Sequence, residues 1–196
     1  MTTWQEHVSH WGTCCLCELH KSRLQPVLGM GPVPAQIMAA GQYPGAEEDK
    51  LGLPMQGAGG KWVHWAWTHV AGLDWESTFF TNILACKPPD KHKQKHVDTC
   101  GPRLVELVQL VQPRLIVAMG LVASRFFSSS DRTMTHLSGK RGVYNGVDVF
   151  FVTHPFEPAR QSNPADREES MNRVTNDFRG LHTRCVELGL LNREVE

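Results

Sequence analysis

The apolar residues follow two patterns along the chain. Residues 35–41 (AQIMAAG), 78–86 (TFFTNILAC), 114–120 (RLIVAMG) and 147–153 (VDVFFVT) are short apolar runs bounded by glycine, proline or polar residues. Runs of that length without a polar face predict strands covered on both sides. Between them, 62–70 reads as a helix, and Leu104, Leu107, Val108 and Val111 recur at helical spacing until Pro113. A short helix over 121–127 gives way to a serine-rich loop. Met171, Val174, Phe178, Leu181, Cys185 and Leu188 are spaced by three and four, which predicts a C-terminal helix over about 165–190 with one apolar stripe. Asn145-Gly146 between β-prone arms predicts a hairpin whose second arm is the last central strand. Strands alternating with helices predict an α/β fold. The expected architecture is a three-layer α/β/α sandwich on a central, mainly parallel four-stranded sheet, as a single domain spanning 1–196.

Composition narrows the classes. A chain of 196 residues can bury a full core without disulfide staples. It has no apolar run of about 18 residues, so no membrane partner is expected. The first residues lack a basic-then-apolar leader pattern, which predicts a cytoplasmic protein, read as a monomer. Lys+Arg and Asp+Glu both number 20, so any nucleic-acid contact must come from a local patch rather than net charge. The loop 87–96 is such a patch: Lys87, Lys91, Lys93 and Lys95, with His92 and His96, stand against one aspartate.

Two features carry candidate chemistry. Residues 41–60, GQYPGAEEDKLGLPMQGAGG, hold six glycines and two prolines around the acidic run Glu47-Glu48-Asp49. The stretch follows a predicted strand, and open α/β sheets bind ligands at such strand ends. The other feature is the cysteines. Cys14 and Cys17 form a CxxC, while Cys86 and Cys100 have thirteen residues between them. Two thiolates from each segment can meet at one metal centre. Zinc ribbons usually use two CxxC knuckles, and the wide second pair suits an iron–sulfur cluster better; scattered core cysteines are the bland alternative. Cys15 and Cys185 are read as non-ligands.

These elements together resemble the family-four uracil-DNA glycosylases, the iron–sulfur branch of their superfamily. That family has an N-terminal CxxC, Gly-Glu-x-Pro-Gly with an acidic run and Gly-x-Pro-Phe, Thr-Asn-x-x-x-Cys-x-Pro-Pro, a further cysteine, and His-Pro-x-x-Leu-Leu-Arg. This chain reads CCLC, GQYPGAEEDKLGLPM, TNILACKPPDK, Cys100 and HPFEPAR in the same order, over roughly 14–188. The resemblance implies a [4Fe–4S] cluster on Cys14, Cys17, Cys86 and Cys100, with the N-terminal cluster-binding segment at about 12–20. It also implies uracil-containing or modified DNA as partner, with a flipped-out nucleotide held at the glycine-rich turn, where Gly41 and Gly45 let the backbone approach. By the same match His154 stabilises the leaving base anion, Asn82 reads the pyrimidine edge, and Glu48 is a second acidic residue of the site. The lysine loop and Arg160 would meet phosphates.

The motifs also depart from the family. Gln42 stands where the family has the glutamate of Gly-Glu-x-Pro-Gly, and an amide cannot act as a general base. Tyr43 follows it, and in related glycosylases a bulky residue at this position screens the thymine methyl. Met55 replaces the stacking phenylalanine. Glu157-Pro158-Ala159 stands where Leu-Leu enters the duplex. One branch of the superfamily traps uracil through a histidine in a basic insertion; His92 and His96 lie in that region, but the insertion is missing. Three functions are therefore weighed. They are a glycosylase excising uracil or a related pyrimidine, a diverged homologue that only binds DNA or a modified base, and a nucleotide or metabolite site without DNA chemistry.

Overall fold

A computed structural model describes residues 3–191, so both ends of the expected 1–196 span lie outside the described residues. The elements run α1 (Trp4–Gly12), β1 (Ile37–Gly41), α2 (Ala46–Leu51), α3 (Ala58–Trp65), β2 (Thr78–Asn82), α4 (Gln94–Val111) and β3 (Leu115–Met119). They continue with α5 (Leu121–Ser128), α6 (Met134–Leu137), β4 (Arg141–Tyr144), β5 (Val147–Val152), α7 (Glu157–Arg160) and α8 (Pro164–Glu187). The strand order is β2-β1-β3-β5-β4. The first four strands are mutually parallel, and β4 pairs antiparallel with β5 through the Asn145-Gly146 turn. The sheet thus has the four parallel strands expected and one more, because the first arm of the hairpin joins the edge. Its residues are exposed or half-buried, so no apolar run marked it.

Both sheet faces are covered, which is why the strands show no polar alternation. Met38, Ala40, Phe79, Ile116 and Phe151 face α1, α4 and α5. Ile37, Ala39, Phe80, Val117 and Phe150 face α3 and α8, where Val174, Phe178, Leu181 and Cys185 supply the helix stripe. Met171 and Leu188, at the ends of that stripe, are only half-buried. Helix α4 starts well before its apolar repeat, at Gln94, and carries Pro102 inside it. The proline and the polar first turns hid this part of the helix from the pattern. Helix α3 runs into a π-helical turn, Ala66–Val70, that fills the rest of the expected 62–70 segment. No helix among the described residues is long and apolar enough to cross a membrane.

From β1 the chain passes to β2 on one side, then returns to β3 on the other. The connections diverge at that point and leave a crevice at the carboxyl edge. Gly41 ends β1, Asn82 ends β2 opposite it, and His154 lies two residues beyond β5. The strand register alone brings these three to one edge.

Candidate active site

The crevice is a cleft of about 340 Å³. Its walls are the glycine-rich stretch, the end of β2 and the loop after β5. Of the residues expected to form a site, Tyr43, Gly45, Glu48, Met55, Asn82, His154 and Arg160 all line it.

His154 is half-buried. Its Nδ1 accepts the Phe156 backbone N–H at 3.2 Å. An Nδ1 used as acceptor leaves the single proton of a neutral imidazole on Nε2. Burial, and then the nearby Arg160 guanidinium, push its pKa down to about 4. The ring is therefore a neutral Nε2–H donor at neutral pH. Gly120, just after β3 at φ +83, is needed beside it: a Cβ there would come within 3.2 Å of the His154 Cβ.

Asn82 is buried, and a Cβ on Gly41 would lie 2.6 Å from its Oδ1. The bare backbone at Gly41 is what gives the amide its place. Met55 packs on the same spot, its Cε 3.6 Å from that Cβ position. Met55 holds a left-handed backbone conformation, φ 60. Gly60 must lack a side chain, because a Cβ would run into the Met55 carbonyl.

Glu48 is 7% exposed and is not the surface charge its helix-start position suggests. Its Oε1 accepts the Gly57 N–H at 2.8 Å, and a Cβ on Gly45 would sit 2.5 Å from Oε2. One carboxylate thus pins the two glycine turns together, and the glycines make room for it. Glu47, also in the cleft wall, is exposed and paired with Lys50 at 2.9 Å.

Gln42 does not line the cleft. Its Nε2 donates to His92 Nδ1 at 3.0 Å, so the amide ties the first turn to the lysine loop. Tyr43 leans on the same histidine, with ring centroids 5.8 Å apart. In that loop Lys91, Lys93 and Lys95 are exposed and Lys87 is half-buried. Lys95 pairs with Glu18 at 2.5 Å. His96 accepts the Lys93 N–H on Nδ1 at 3.0 Å and meets the same Glu18 through Nε2 at 3.0 Å.

Helix α7 brings Arg160 over the Phe156 ring, 5.3 Å from its centroid. Phe156 lines the cleft and was missed as a site residue, although it directly follows His154-Pro155. Glu157 lies 3.7 Å from Arg173 of α8, which answers its charge. Pro158 is buried and Ala159 is small, so no long apolar prong stands at this position.

On the far side of the Asn82 strand end, Cys14, Cys17, Cys86 and Cys100 line one small cavity. Cys15 and Cys185 do not; the first is exposed and the second lies in the α8 core, where burial pushes its thiol up to about 12. Arg23 and Arg103, which sequence spacing did not single out, line the same cavity. Arg23 donates to Cys86 Sγ at 2.9 Å and to the Cys14 carbonyl at 2.8 Å. Burial raises the Cys17 and Cys86 thiols, and at Cys86 the Arg23 guanidinium opposes that rise. Among the described residues no group of three or more His, Cys, Asp or Glu is placed to hold a single metal ion.

Fold and cleft define an α/β/α protein with a cleft at the carboxyl edge of a mainly parallel sheet, lined by an imidazole, an amide and glycine turns. The sequence profile described as the Uracil DNA glycosylase superfamily matches residues 28–179. The chain is 33% identical to a type-4 uracil-DNA glycosylase of Archaeoglobus fulgidus over 183 residues, covering 88% of each chain. It is 34% identical to one of Pyrobaculum aerophilum over 177 residues, covering 85% of this chain and 89% of the relative. A third, from Sulfurisphaera tokodaii, is 31% identical over 154 residues, 75% of this chain and 70% of its own. The chain belongs to the uracil-DNA glycosylase superfamily.

Proposed function

We propose that this protein is a DNA glycosylase that flips uracil, or a related modified pyrimidine, out of DNA and cleaves its N-glycosidic bond. The observation that carries the reading is the pairing, in one cleft, of a neutral histidine protonated on Nε2 with a buried asparagine amide. Bond cleavage leaves positive charge on the sugar and negative charge on the departing pyrimidine. A neutral imidazole N–H at the base O2 stabilises that anion without first giving up its proton. The Asn82 amide offers a donor for O4 and an acceptor for N3–H, the edge pattern of uracil. Water then adds to C1′, and the base anion takes up a proton. With Gln42 turned to His92, the carboxylate available to hold that water is Glu48, whose Oε2 faces Gly45. Lys87, Lys91, Lys93 and Arg160 are suited to phosphates on either side of the cleft. Lys95 is already paired and contributes less.

The cysteine cavity fits a [4Fe–4S] cluster. Four thiols from two separated segments line it. In a cubane each thiolate binds its own iron, so the ligands stand farther apart than around one zinc ion. Cys14 and Cys17 after α1, Cys86 beyond β2 and Cys100 on α4 would hold it, and a cluster bound there would tie these segments together; base excision needs no electron from it.

A diverged homologue that binds DNA without cutting it is the second reading, favoured by Gln42, Met55 and the absent Leu-Leu. Single-turnover kinetics on a uracil oligonucleotide separates the two. A working glycosylase should lose about 100–1,000-fold in the chemical step on His154→Ala, as expected for one anion-stabilising donor. Excision by the parent that survives His154→Ala undiminished would defeat the mechanism, and no excision of any modified pyrimidine would establish the binding protein.

A further inference from the structure

Arg103 is the only Lys or Arg side chain buried among the described residues, at 1% exposure. It leaves α4 one turn after Cys100 and lines the cysteine cavity. Its guanidinium also reaches the end of β2. Nη2 donates to the carbonyls of Asn82 at 2.5 Å and Ile83 at 3.2 Å. Nη1 donates to the Leu28 carbonyl at 3.2 Å and meets Thr81 Oγ1 at 3.5 Å. No carboxylate pairs with it among the described residues, and its buried Nε has no partner.

A buried cation held by carbonyl dipoles and one hydroxyl lacks a counter-charge. Four cysteines line the same cavity, and thiolates bound to a metal centre there would supply one. We propose that Arg103 is the positioning residue for the base reader Asn82, and that the metal–thiolate centre on Cys14, Cys17, Cys86 and Cys100 is its counter-charge. This rests on the cluster and the Asn82 role proposed above. The strand end is then clamped from two directions. Arg103 takes the carbonyls of Asn82 and Ile83, while the Ile83 and Leu84 N–H groups donate to Gly41 at 2.9 Å and Gln42 at 3.0 Å. When the centre is lost, the guanidinium loses its counter-charge, the clamp slackens, and the Asn82 amide moves off its place against Gly41.

The test compares the iron-loaded parent, the parent stripped of iron by a chelator, Arg103→Met and Arg103→Lys. Each is measured for iron and sulfide, for amide exchange at Ile83 and Leu84, and for single-turnover rate and DNA affinity. Arg103→Lys keeps the charge but has one nitrogen, which cannot span from the Leu28 carbonyl to those of Asn82 and Ile83 as the two Nη atoms do, so it should hold iron and still exchange those amides about tenfold faster or more, with the amides of β3 unchanged. Its chemical step should fall on the order of 10–100-fold, the scale of a small misplacement, with DNA affinity near the parent's. Arg103→Met should show the same changes more strongly, and stripping the parent should speed the same two amides. If Arg103→Met does not fold, Arg103→Lys alone decides. An iron- and sulfide-containing parent whose Arg103→Lys variant matches it in exchange and rate overturns the inference and leaves the cluster standing. A parent with neither iron nor sulfide overturns both.

Discussion

Lowering the pH through the range where an ordinary histidine gains its proton tests the neutral-imidazole mechanism directly. Protonation of His154 would put a proton on Nδ1, the atom that accepts the Phe156 N–H at 3.2 Å, and would set a second cation beside Arg160. Burial and that guanidinium hold the pKa near about 4, against 6.5 for a free imidazole. At about pH 5 roughly nine-tenths of such a ring is still neutral, whereas an unshifted ring would be only about one-thirtieth neutral. The single-turnover rate on a uracil oligonucleotide should therefore fall by only about a tenth between pH 7 and about pH 5, then drop steeply below about pH 4. The same profile for Glu48→Gln removes the carboxylate that the mechanism uses. A limb centred near pH 6.5 in both proteins would refute the reasoning, because it would mean that His154 takes a proton as readily as in water. Stability should follow the same linkage. Between 6.5 and about 4 the unfolded chain binds a proton at this site that the folded chain does not. Stability is therefore full above 6.5 and is lost as pH falls toward about 4, by at most about 3 kcal/mol for a ring that keeps some solvent contact. Thermal melts of His154→Asn should lack that part of the slope.

Three further outcomes follow from particular contacts. Asn82→Asp offers uracil an acceptor where a donor is needed, and each lost hydrogen bond should weaken base discrimination by on the order of 1–3 kcal/mol; unchanged base preference and binding would make the asparagine structural. Gly41→Ala puts a Cβ 2.6 Å from Asn82 Oδ1, and the side-chain end can swing away, so melting should stay near the parent's while discrimination falls as in Asn82→Asp. Aerobically purified protein should be brown and contain iron and sulfide, and Cys14→Ala, Cys17→Ala, Cys86→Ala and Cys100→Ala should each lose them while Cys15→Ala does not; stoichiometric zinc without sulfide would refute the cluster.

Much of the framework was already legible in the residues. The apolar runs at 35–41, 114–120 and 147–153 became central strands, because a strand covered on both faces needs side chains of one kind at every position. The CxxC, the glycine-rich turn and His154-Pro155 stand in an order that by itself resembles the superfamily's. Chain order could not say which way a side chain turns. Gln42 and Glu48 sit six residues apart in one motif, yet one ties to His92 and the other enters the cleft. The difference comes from partners 50 residues away in one case and nine in the other. Phe156, Arg23 and Arg103 lacked any signal for the same reason. An aromatic after proline or an arginine on a helix is common, and only packing reveals what it faces. Local rules of period, turn and propensity set the elements, while the close approach of distant segments across the sheet edge decided which residues share a cleft.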